Sequence, residues 1–189
     1  KKGKLRSCGK AYPGIDVKIV DEKNNELPVG GVGEILLKGD IIMKGYWNKP
    51  EANEESIVDG WFYTGDAGYF DDEGFLYIHD RVKDMIVSGG ENVYPAEVEN
   101  ALMAHENISD AAVIGIPDDK WGEAVKGIVV VNDDLSEDEI IEFARTRIAG
   151  YKCPKSIDFI EELPRNPGGK ILRRELRVPY WKGKDRNVS

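Results

Sequence analysis

The hydrophobic pattern of the chain changes near residues 81–84, and this change limits the folds that are open to it. Before this point the apolar residues fall in short runs such as Gly33–Lys38, bounded by Asp, Asn, Gly and Pro, as is typical of short strands. Later segments such as Ala111–Ile116 are continuously apolar, which indicates strands buried on both faces. The sequence therefore predicts two domains, residues 1–82 and 83–189.

Short strands without a long helix dominate residues 1–82, so we expect a β-rich segment there, a small distorted barrel or open sheet. The Asp71–Gly74 turn predicts a hairpin that joins Ala67–Phe70 to Phe75–Ile78. Residues 52–58 have the pattern of a short helix. The expected order is strands first, with helices of any size only later in the chain.

Residues 83–189 predict a complete small α+β domain in which helices cover a short sheet. Pro95 is expected at the first position of one helix. The residues predicted on the buried face of that helix are Val98, Ala101, Leu102 and His105. Ser136 and Glu139 form a capping box for a second helix, which Gly150 is expected to end.

Composition excludes several classes of protein. The 26 basic and 35 acidic residues give a net charge of −9, which argues against a nucleic-acid partner. Cys8 and Cys153 are isolated, so we expect free thiols in a reducing cytosol and no metal site. No apolar run approaches the roughly 20 residues of a membrane span, and no signal-peptide pattern opens the sequence. These features predict a cytoplasmic protein with no transmembrane segment.

The segment Tyr63–Asp66 places a carboxylate directly after a Thr-Gly turn. Such a carboxylate can accept hydrogen bonds from two neighbouring hydroxyls, as a ribose would offer. The alternative is an aspartate that only closes a turn. Arg81 could meet the same sugar from the other side, or form a surface ion pair. The combination of the two favours a nucleotide site.

Lys170 follows two glycines near the end of the sequence. The segment is not a Walker A loop, because Pro164 replaces the required glycine and Ile171 the required Ser or Thr. A lysine in this position can enter a cleft and meet the charge that develops on a phosphate. The alternative is a solvated lysine at the start of a basic run. That run contains Lys170, Arg173, Arg174 and Arg177.

Three further segments have a functional and a structural interpretation. Ser88, Gly89 and Gly90 form either a plain hairpin turn or a backbone that closely approaches an extended thiol ligand. Residues 151–155 could stack a base and hold phosphates, or form an exposed loop. Trp121 is expected to be packed between two buried strands, with stacking on a ligand as the less favoured alternative. Two histidines without partners at metal-binding spacing are interpreted as structural, His79 and His105.

Taken in order, these segments resemble the acyl-adenylate-forming enzymes of the AMP-binding superfamily, and the match runs nearly from end to end. Gly33–Asn48 resembles the strand-rich segment that precedes the nucleotide site, and Asp80–Asp84 resembles the junction between the large and small domains. The sequence is thus similar to the C-terminal third of an acyl-CoA synthetase of the fatty acid–CoA ligase type. The phosphate loop and acyl pocket of that family are not represented in it.

The resemblance implies roles for individual residues. Asp66 and Arg81 would contact the ribose, and Lys83 would be the hinge. Tyr63 and Thr64 would belong to the same nucleotide-binding motif as Asp66. Lys170 would be the catalytic lysine of adenylation. The residues implied in CoA binding are Ser88, Gly89, Gly90, Tyr151, Cys153 and Lys155.

Two positions depart from the family pattern. Cys153 stands where some relatives have arginine, so one phosphate contact to CoA is expected to be weaker. Gly169 replaces a serine that often precedes the catalytic lysine, and this glycine is expected to loosen the loop. Neither departure removes a reacting group.

The resemblance also implies a reaction in two steps. ATP with Mg²⁺ and a carboxylic acid, expected to be a fatty acid, would give acyl-AMP, and CoA would then take the acyl group after the small domain swings about Lys83. The implied partners are these substrates and the remainder of the large domain, with a homodimer as a possibility and a bacterial source expected. This chain alone is not expected to make acyl-AMP. Two alternatives stay open: an adenylation domain that loads a carrier protein, and a non-catalytic regulatory module of the same fold.

Overall fold

The computed structural model describes residues 4–183. The chain divides into two compact units between Val82 and Lys83. Each unit contains one five-stranded sheet, and the helices of the second unit pack on its sheet. The predicted α+β class is confirmed. No helix within residues 4–183 is long and apolar enough to cross a membrane.

The first unit is an antiparallel sheet that curls into a half-barrel. Its elements are β1 (Ile15–Val20), β2 (Gly33–Gly39), α1 (Pro50–Ser56), β3 (Ile57–Val58), β4 (Trp61–Phe70) and β5 (Leu76–Arg81). The strand order is β1-β2-β4-β3, and β5 also pairs with β4 to form the predicted hairpin. The register shifts between Glu34 and Leu36 and between Ala67 and Gly68. Such bulges increase the local twist, which explains the curl.

Helix α1 ends at Ser56, so the prediction of a helix over residues 52–58 is wrong at its C-terminal end. Ile57–Val58 forms a strand that pairs with the start of β4. Asp59 and Gly60 connect the two strands, with φ angles of +52° and +77°. Two successive positive φ angles define the tight turn that suits a two-residue hairpin, and Asp-Gly is a preferred sequence for it.

The second unit is built on a long hairpin. Its elements are β6 (Ile86–Ser88), β7 (Glu91–Val93), α2 (Pro95–Leu102), β8 (Ile108–Asp118), β9 (Gly122–Val131), α3 (Glu137–Arg145), β10 (Ser156–Phe159) and α4 (Arg173–Arg177). β8 and β9 pair along their whole length, from Ile108 opposite Val131 to Asp118 opposite Gly122. The other edge of β9 carries β10 in parallel and β6 antiparallel.

The sheet of the second unit is buried on both faces, as its continuous apolar runs predict. Along β8, Ala111 and Val113 join the larger cluster, which helices α2 and α3 cover. Ala112 and Ile114 point the other way into a smaller cluster with Leu163. That second face is covered by the segment that contains α4, a contribution that the periodicity of the strands alone does not reveal.

Helix α2 begins at Pro95 as predicted, and it buries the predicted Val98, Ala101 and Leu102. The helix ends at Leu102, however, so His105 lies beyond it and does not extend the buried face. The imidazole of His105 packs edge-on against Phe143, with the ring centroids 4.6 Å apart. This contact agrees with the predicted structural role of His105.

Helix α3 starts with the predicted capping box, in which Ser136 and Glu139 each bond to the backbone of the other. The prediction that this helix continues to Gly150 is wrong, because it ends at Arg145. The hydroxyl of Thr146 donates to the carbonyl of Phe143 at 2.7 Å. A threonine that bonds to a nearby carbonyl competes with the helical ladder, which explains the earlier end.

Candidate active site

The Thr64-Gly65-Asp66 turn lies within β4 and is held by its neighbour β2. Gly65 has a φ of +70°, a conformation that residues other than glycine rarely adopt. The Thr64 hydroxyl donates to the carbonyl of Ile35 at 2.8 Å. The same hydroxyl accepts a hydrogen bond from the Asp66 amide at 3.1 Å. The backbone that carries the Asp66 carboxylate is thus tied to β2.

Asp66 and Arg81 are cross-strand neighbours on β4 and β5, so the structure brings the two predicted residues together. Arg81 Nε lies 2.9 Å from Asp66 Oδ1. Both side chains reach solvent, with 50% of Arg81 and 27% of Asp66 exposed. An exposed ion pair of this kind contributes little stability, so a ligand with hydroxyl donors can compete for the carboxylate.

Tyr63 makes a different contact from Asp66. Its hydroxyl donates to Asn24 Oδ1 at 3.1 Å, in the turn that follows β1. The Asn24 backbone has a φ of +62°. The phenol of Tyr63 therefore supports the β1 turn, and its role in nucleotide binding stays a prediction, as does that of Thr64.

Glu34 is a component of this site that sequence reasoning missed. Its Oε1 accepts the Gly65 amide at 2.9 Å across the β2–β4 pair. Burial raises the pKa of the half-buried carboxyl, and the nearby charge of Asp66 raises it further, while the bond from Gly65 opposes the shift. The sequence signal was a carboxylate directly before the apolar run of β2, Ile35–Leu37.

Lys170 closes a small loop whose backbone is well defined. Asn166 accepts the Lys170 amide through its side chain at 2.9 Å and donates its own amide to the Lys170 carbonyl at 2.9 Å. Arg165 donates to the carbonyl of Gly169 at 2.7 Å and to Asp110 at 2.6 Å. Gly169 has a φ of +80°. The glycine therefore fits a tight turn, and whether it loosens the loop stays a prediction.

The basic run after Lys170 separates into two kinds of residue. Arg173 donates to both carboxylate oxygens of Glu99, the shorter bond being 2.7 Å, and Arg177 donates to Asp84 at 3.0 Å. The Lys170 side chain is exposed, and within residues 4–183 its ammonium makes no hydrogen bond or ion pair. The run is therefore not one solvated surface. Arg173 and Arg177 are held in ion pairs, whereas Lys170 and Arg174 are exposed and accessible to a ligand.

The turn after β6 brings Gly89 against Trp121. The Gly89 amide donates to the Trp121 carbonyl at 2.8 Å, and a Cβ on Gly89 would lie only 2.6 Å from Trp121 Cε3. Trp121 is 41% exposed, so the expectation of a fully packed tryptophan is wrong. Lys120 and Lys155 lie 4.6 and 6.0 Å from the centre of its ring system. Gly89, Trp121 and these cations form a continuous exposed surface.

Residues 151–155 divide between surface and interior. Tyr151 is 45% exposed, whereas Cys153 is 2% exposed and belongs to the core around α2 and α3. Burial raises the pKa of the Cys153 thiol. The buried thiol itself is withdrawn from the surface, so a contact of Cys153 with CoA would involve its backbone and stays a prediction. Ser88 is also buried, at 7% exposure, so only its backbone could approach a ligand.

Lys152 was not predicted as a site residue, and it anchors this loop to α2. Its ammonium lies 2.7 Å from both carboxylate oxygens of Glu97 and 5.6 Å from the centre of the Tyr151 ring. Burial acts to lower the pKa of Lys152, but the bond to Glu97 and the negative charge of Glu97 together outweigh it, and the pKa is raised. Tyr151 is therefore presented by a loop with a fixed base.

Lys83 lies in a single 3-10 turn, Val82–Asp84, at the division between the two units. Asp66 and Arg81 belong to the first unit, and Lys170, Gly89 and Trp121 belong to the second. Across the described part of the chain, no group of three or more His, Cys, Asp or Glu side chains could hold a metal ion.

The Lys170 loop and the Gly89 turn lie at opposite ends of the β8–β9 hairpin. Arg165 ties the loop to Asp110 near the start of β8. The Gly89 turn bonds to Trp121, which follows the end of β8. The nine residues from Asp110 to Asp118 are joined by eight steps and span roughly 25 Å at about 3.3 Å per step. One rigid unit thus carries two separate polar surfaces.

Comparison with known proteins agrees with this geometry. The AMP-binding enzyme family matches residues 1–47, and the AMP-binding enzyme C-terminal domain matches residues 97–170. The long-chain-fatty-acid–CoA ligase FadD13 of Mycobacterium tuberculosis is 49% identical over 178 residues, which cover 94% of this chain and 35% of the relative. The fatty acid–[acyl-carrier-protein] ligase ScoC of Streptomyces coeruleorubidus is 44% identical, covering 98% of this chain and 36% of the relative.

A solved structure shows the same architecture. The o-succinylbenzoate CoA synthetase MenE of Bacillus subtilis, in complex with its acyl-adenylate intermediate, matches with a TM-score of 0.85 and 39% identity. The match covers 100% of this chain and 37% of that chain. The fold is that of adenylate-forming enzymes. The chain belongs to the AMP-binding enzyme family, as its motifs predict, and it spans about a third of the length of the relatives it matches.

Proposed function

We propose that this chain is the C-terminal part of an ATP-dependent acid–thiol ligase that converts a carboxylic acid, with a fatty acid as our first choice, into its CoA thioester. In the first step the acid's carboxylate oxygen attacks the α-phosphorus of ATP, and pyrophosphate leaves. In the second step the CoA sulfur attacks the acyl carbonyl and loses its proton, and AMP leaves with the electrons of the broken bond. Similarity to FadD13 over 94% of the chain supports the choice of acid and thiol.

The observation that carries this proposal is the separation of two surfaces on the second unit. Lys170, exposed at one end of the β8–β9 hairpin, suits the adenylation step because its charge can stabilise the developing charge of the α-phosphate. Gly89 at the other end suits the thiol step, because its exposed turn packs directly against the indole of Trp121 beside Lys155, and this surface would receive an extended thiol ligand. Rotation of the second unit between the two steps would bring a different one of these surfaces to the reacting atoms in each step.

The remaining roles follow from the same assignment. Asp66 and Arg81 would hold the ribose in both steps, and Lys83 would be the hinge. Tyr151 and Lys155, with the backbone at Ser88 and Gly90, would contact the nucleotide and pantetheine parts of CoA. Mg²⁺ would accompany ATP as part of the substrate.

The other partners are proposals of the same kind. The phosphate loop and the acyl pocket would be supplied by further polypeptide, so residues 1–189 alone would not form acyl-AMP. A cytoplasmic location fits a need for ATP and CoA. A homodimer can be checked by the mass of the protein in solution.

ScoC, which is named a ligase of fatty acids to acyl carrier protein, favours a second candidate in which a carrier-bound thiol replaces CoA.

The proposal is tested by replacing Lys170 with alanine in the full-length protein that contains this chain. We expect acyl-AMP formation, measured as ATP–pyrophosphate exchange with fatty acids, to fall about a hundredfold or more. Thioester formation from supplied acyl-AMP and CoA should stay close to the wild-type rate, because Lys170 serves only the first step. Arg174→Ala is the control, as this exposed cation lies on the same segment.

Two results would contradict the proposal. Equal loss of both half-reactions in Lys170→Ala would show that the lysine does not act specifically in adenylation. An absence of pyrophosphate exchange in the wild-type protein across a panel of carboxylic acids would favour the non-catalytic module. Preference for a pantetheinylated carrier protein over CoA in the second half-reaction would select the carrier-loading candidate.

A further inference from the structure

The carboxylate of Glu34 lies where it can control the turn that carries Asp66. Glu34 is on β2 at the point where the β2–β4 register shifts. The shift lets its side chain reach the Gly65 amide at 2.9 Å, across the strand pair. It is therefore the side chain of a neighbouring strand, and not the regular ladder, that pairs this amide.

Two amides and one hydroxyl of the turn form a connected set of hydrogen bonds. The Gly65 amide donates to Glu34, the Thr64 hydroxyl donates to the carbonyl of Ile35, and the Asp66 amide donates to the Thr64 hydroxyl at 3.1 Å. Two of these bonds end on consecutive residues of β2, and the third joins Asp66 to Thr64. Because Gly65 has a φ of +70°, the chain changes direction at this residue, and its amide determines where Asp66 points.

Placing an ionised carboxylate at position 34 costs free energy. Glu34 is half-buried and close to the charge of Asp66, and both conditions disfavour its ionised form. A neutral amide of the same length could accept the Gly65 bond without either cost. The acceptor atom and its placement are therefore the features that the turn requires, and these remain in a glutamine.

We propose that Glu34 is a positioning residue of the nucleotide site: by accepting the Gly65 amide, it sets the direction in which the Asp66 carboxylate meets the sugar. This inference rests on the proposed function, because it assumes that Asp66 binds the ribose. Glu34 itself would not contact the substrate. Its effect is transmitted through one hydrogen bond and one glycine.

The test measures the affinity of the full-length protein for AMP and, separately, for CoA by titration calorimetry. Neither ligand requires knowledge of the acid. We expect Glu34→Ala to weaken AMP binding about tenfold, the size expected for one hydrogen bond, and to leave CoA binding unchanged. Glu34→Gln should restore AMP binding to within about twofold of wild type, because it keeps the acceptor.

Two further variants complete the design. Gly65→Ala should weaken AMP binding as Glu34→Ala does, because it strains the same turn, while its added Cβ would meet only Arg81 Nη1, at 4.0 Å. Glu22→Ala is the matched control, since this carboxylate is exposed in the same unit. It should change neither affinity.

The outcomes separate this inference from the proposed function. If Asp66→Asn weakens AMP binding but Glu34→Ala does not, the positioning role is wrong and the nucleotide site stands. If Asp66→Asn has no effect on AMP binding, both fail. If Glu34→Ala does not fold, Glu34→Gln decides: a loss of AMP affinity in this variant would overturn the role of the acceptor atom.

Discussion

At the scale of single residues, Lys126 shows how this fold accommodates a buried charge. Its ammonium lies 2.6 Å from Asp158 and 3.1 Å from the Ser156 hydroxyl. Tyr180 donates a hydrogen bond to the second oxygen of Asp158. Burial, followed by this bond, raises the pKa of Tyr180 to about 12. Burial also acts to raise the pKa of Asp158, but the bonds from Lys126 and Tyr180 outweigh it and the pKa is lowered.

This arrangement predicts a dependence of stability on alkaline pH. Folding raises the pKa of Tyr180 from 10.0 to about 12. The stabilisation of the folded state by protonated Tyr180 is therefore complete below pH 10 and is lost as the pH rises through about 12. Tyr180→Phe removes the titrating group. Urea unfolding between pH 8 and 12 should therefore show a shallower decline in the variant than in the wild-type protein.

The control for this comparison is Tyr12→Phe, because Tyr12 is 74% exposed. That variant should follow the wild-type pH curve. Parallel curves for the wild type and Tyr180→Phe would show that the tyrosine does not couple folding to alkaline pH.

At the scale of elements, helix α4 depends on its ion pairs. It has five residues, too few to be stable alone in water. Arg173 binds Glu99 on α2, and Arg177 binds Asp84 immediately after Lys83. The helix thus ties α2 to the first residues of the second unit.

Loss of one of these pairs should be costly. The Arg177 and Asp84 side chains are 14% and 13% exposed, so Arg177→Met would leave a buried carboxylate without this cation. We expect the free energy of unfolding to fall by about 3 kcal/mol. Chemical denaturation measures the change, with Arg174→Met as the control on the exposed side of α4. A change in Arg177→Met no larger than in the control would contradict a structural role for the pair.

Local signals in the sequence were sufficient for some elements and not for others. Pro95 and the Ser136 capping box identified the starts of α2 and α3, since each acts within its own first turn. The end of α3 depended on a Thr146 hydroxyl bond that competes with the helix. Asp59-Gly60 is a hairpin signal, but the predicted helix over residues 52–58 placed Ile57–Val58 in the helix rather than in the strand before this turn.

In the whole molecule, the division between Val82 and Lys83 separates the proposed ribose-binding residues, Asp66 and Arg81, from the two polar surfaces around Lys170 and Gly89. Within the second unit, the long β8–β9 hairpin holds two such surfaces roughly 25 Å apart. Because the hairpin is packed on both faces, its ends cannot approach each other. A change at one end should therefore leave the chemistry of the other intact.

This separation predicts the effect of Gly89→Leu in the full-length protein. The added side chain would collide with Trp121, because even a Cβ lies 2.6 Å from Cε3. We expect thioester formation from supplied acyl-AMP to fall at least about tenfold, while ATP–pyrophosphate exchange stays near wild type. Gly74→Leu is the control for backbone strain, since it has a φ of +76° and open space around it.

Unimpaired thioester formation in Gly89→Leu would refute a thiol channel at this turn. A parallel loss of both half-reactions in Gly89→Leu and Gly74→Leu would attribute the effect to folding rather than to the channel.

The order of residue types along short segments was enough to predict the α+β class, the buried strands of the second unit and the family. The same motifs predict Asp66, Arg81 and Lys170 as site residues. The three-dimensional structure was needed to show that Cys153 is buried, that Trp121 is exposed beside Gly89, and that Glu34 accepts the Gly65 amide. These contacts join segments distant in sequence, and their distances depend on register, bulges and packing that no local pattern specifies.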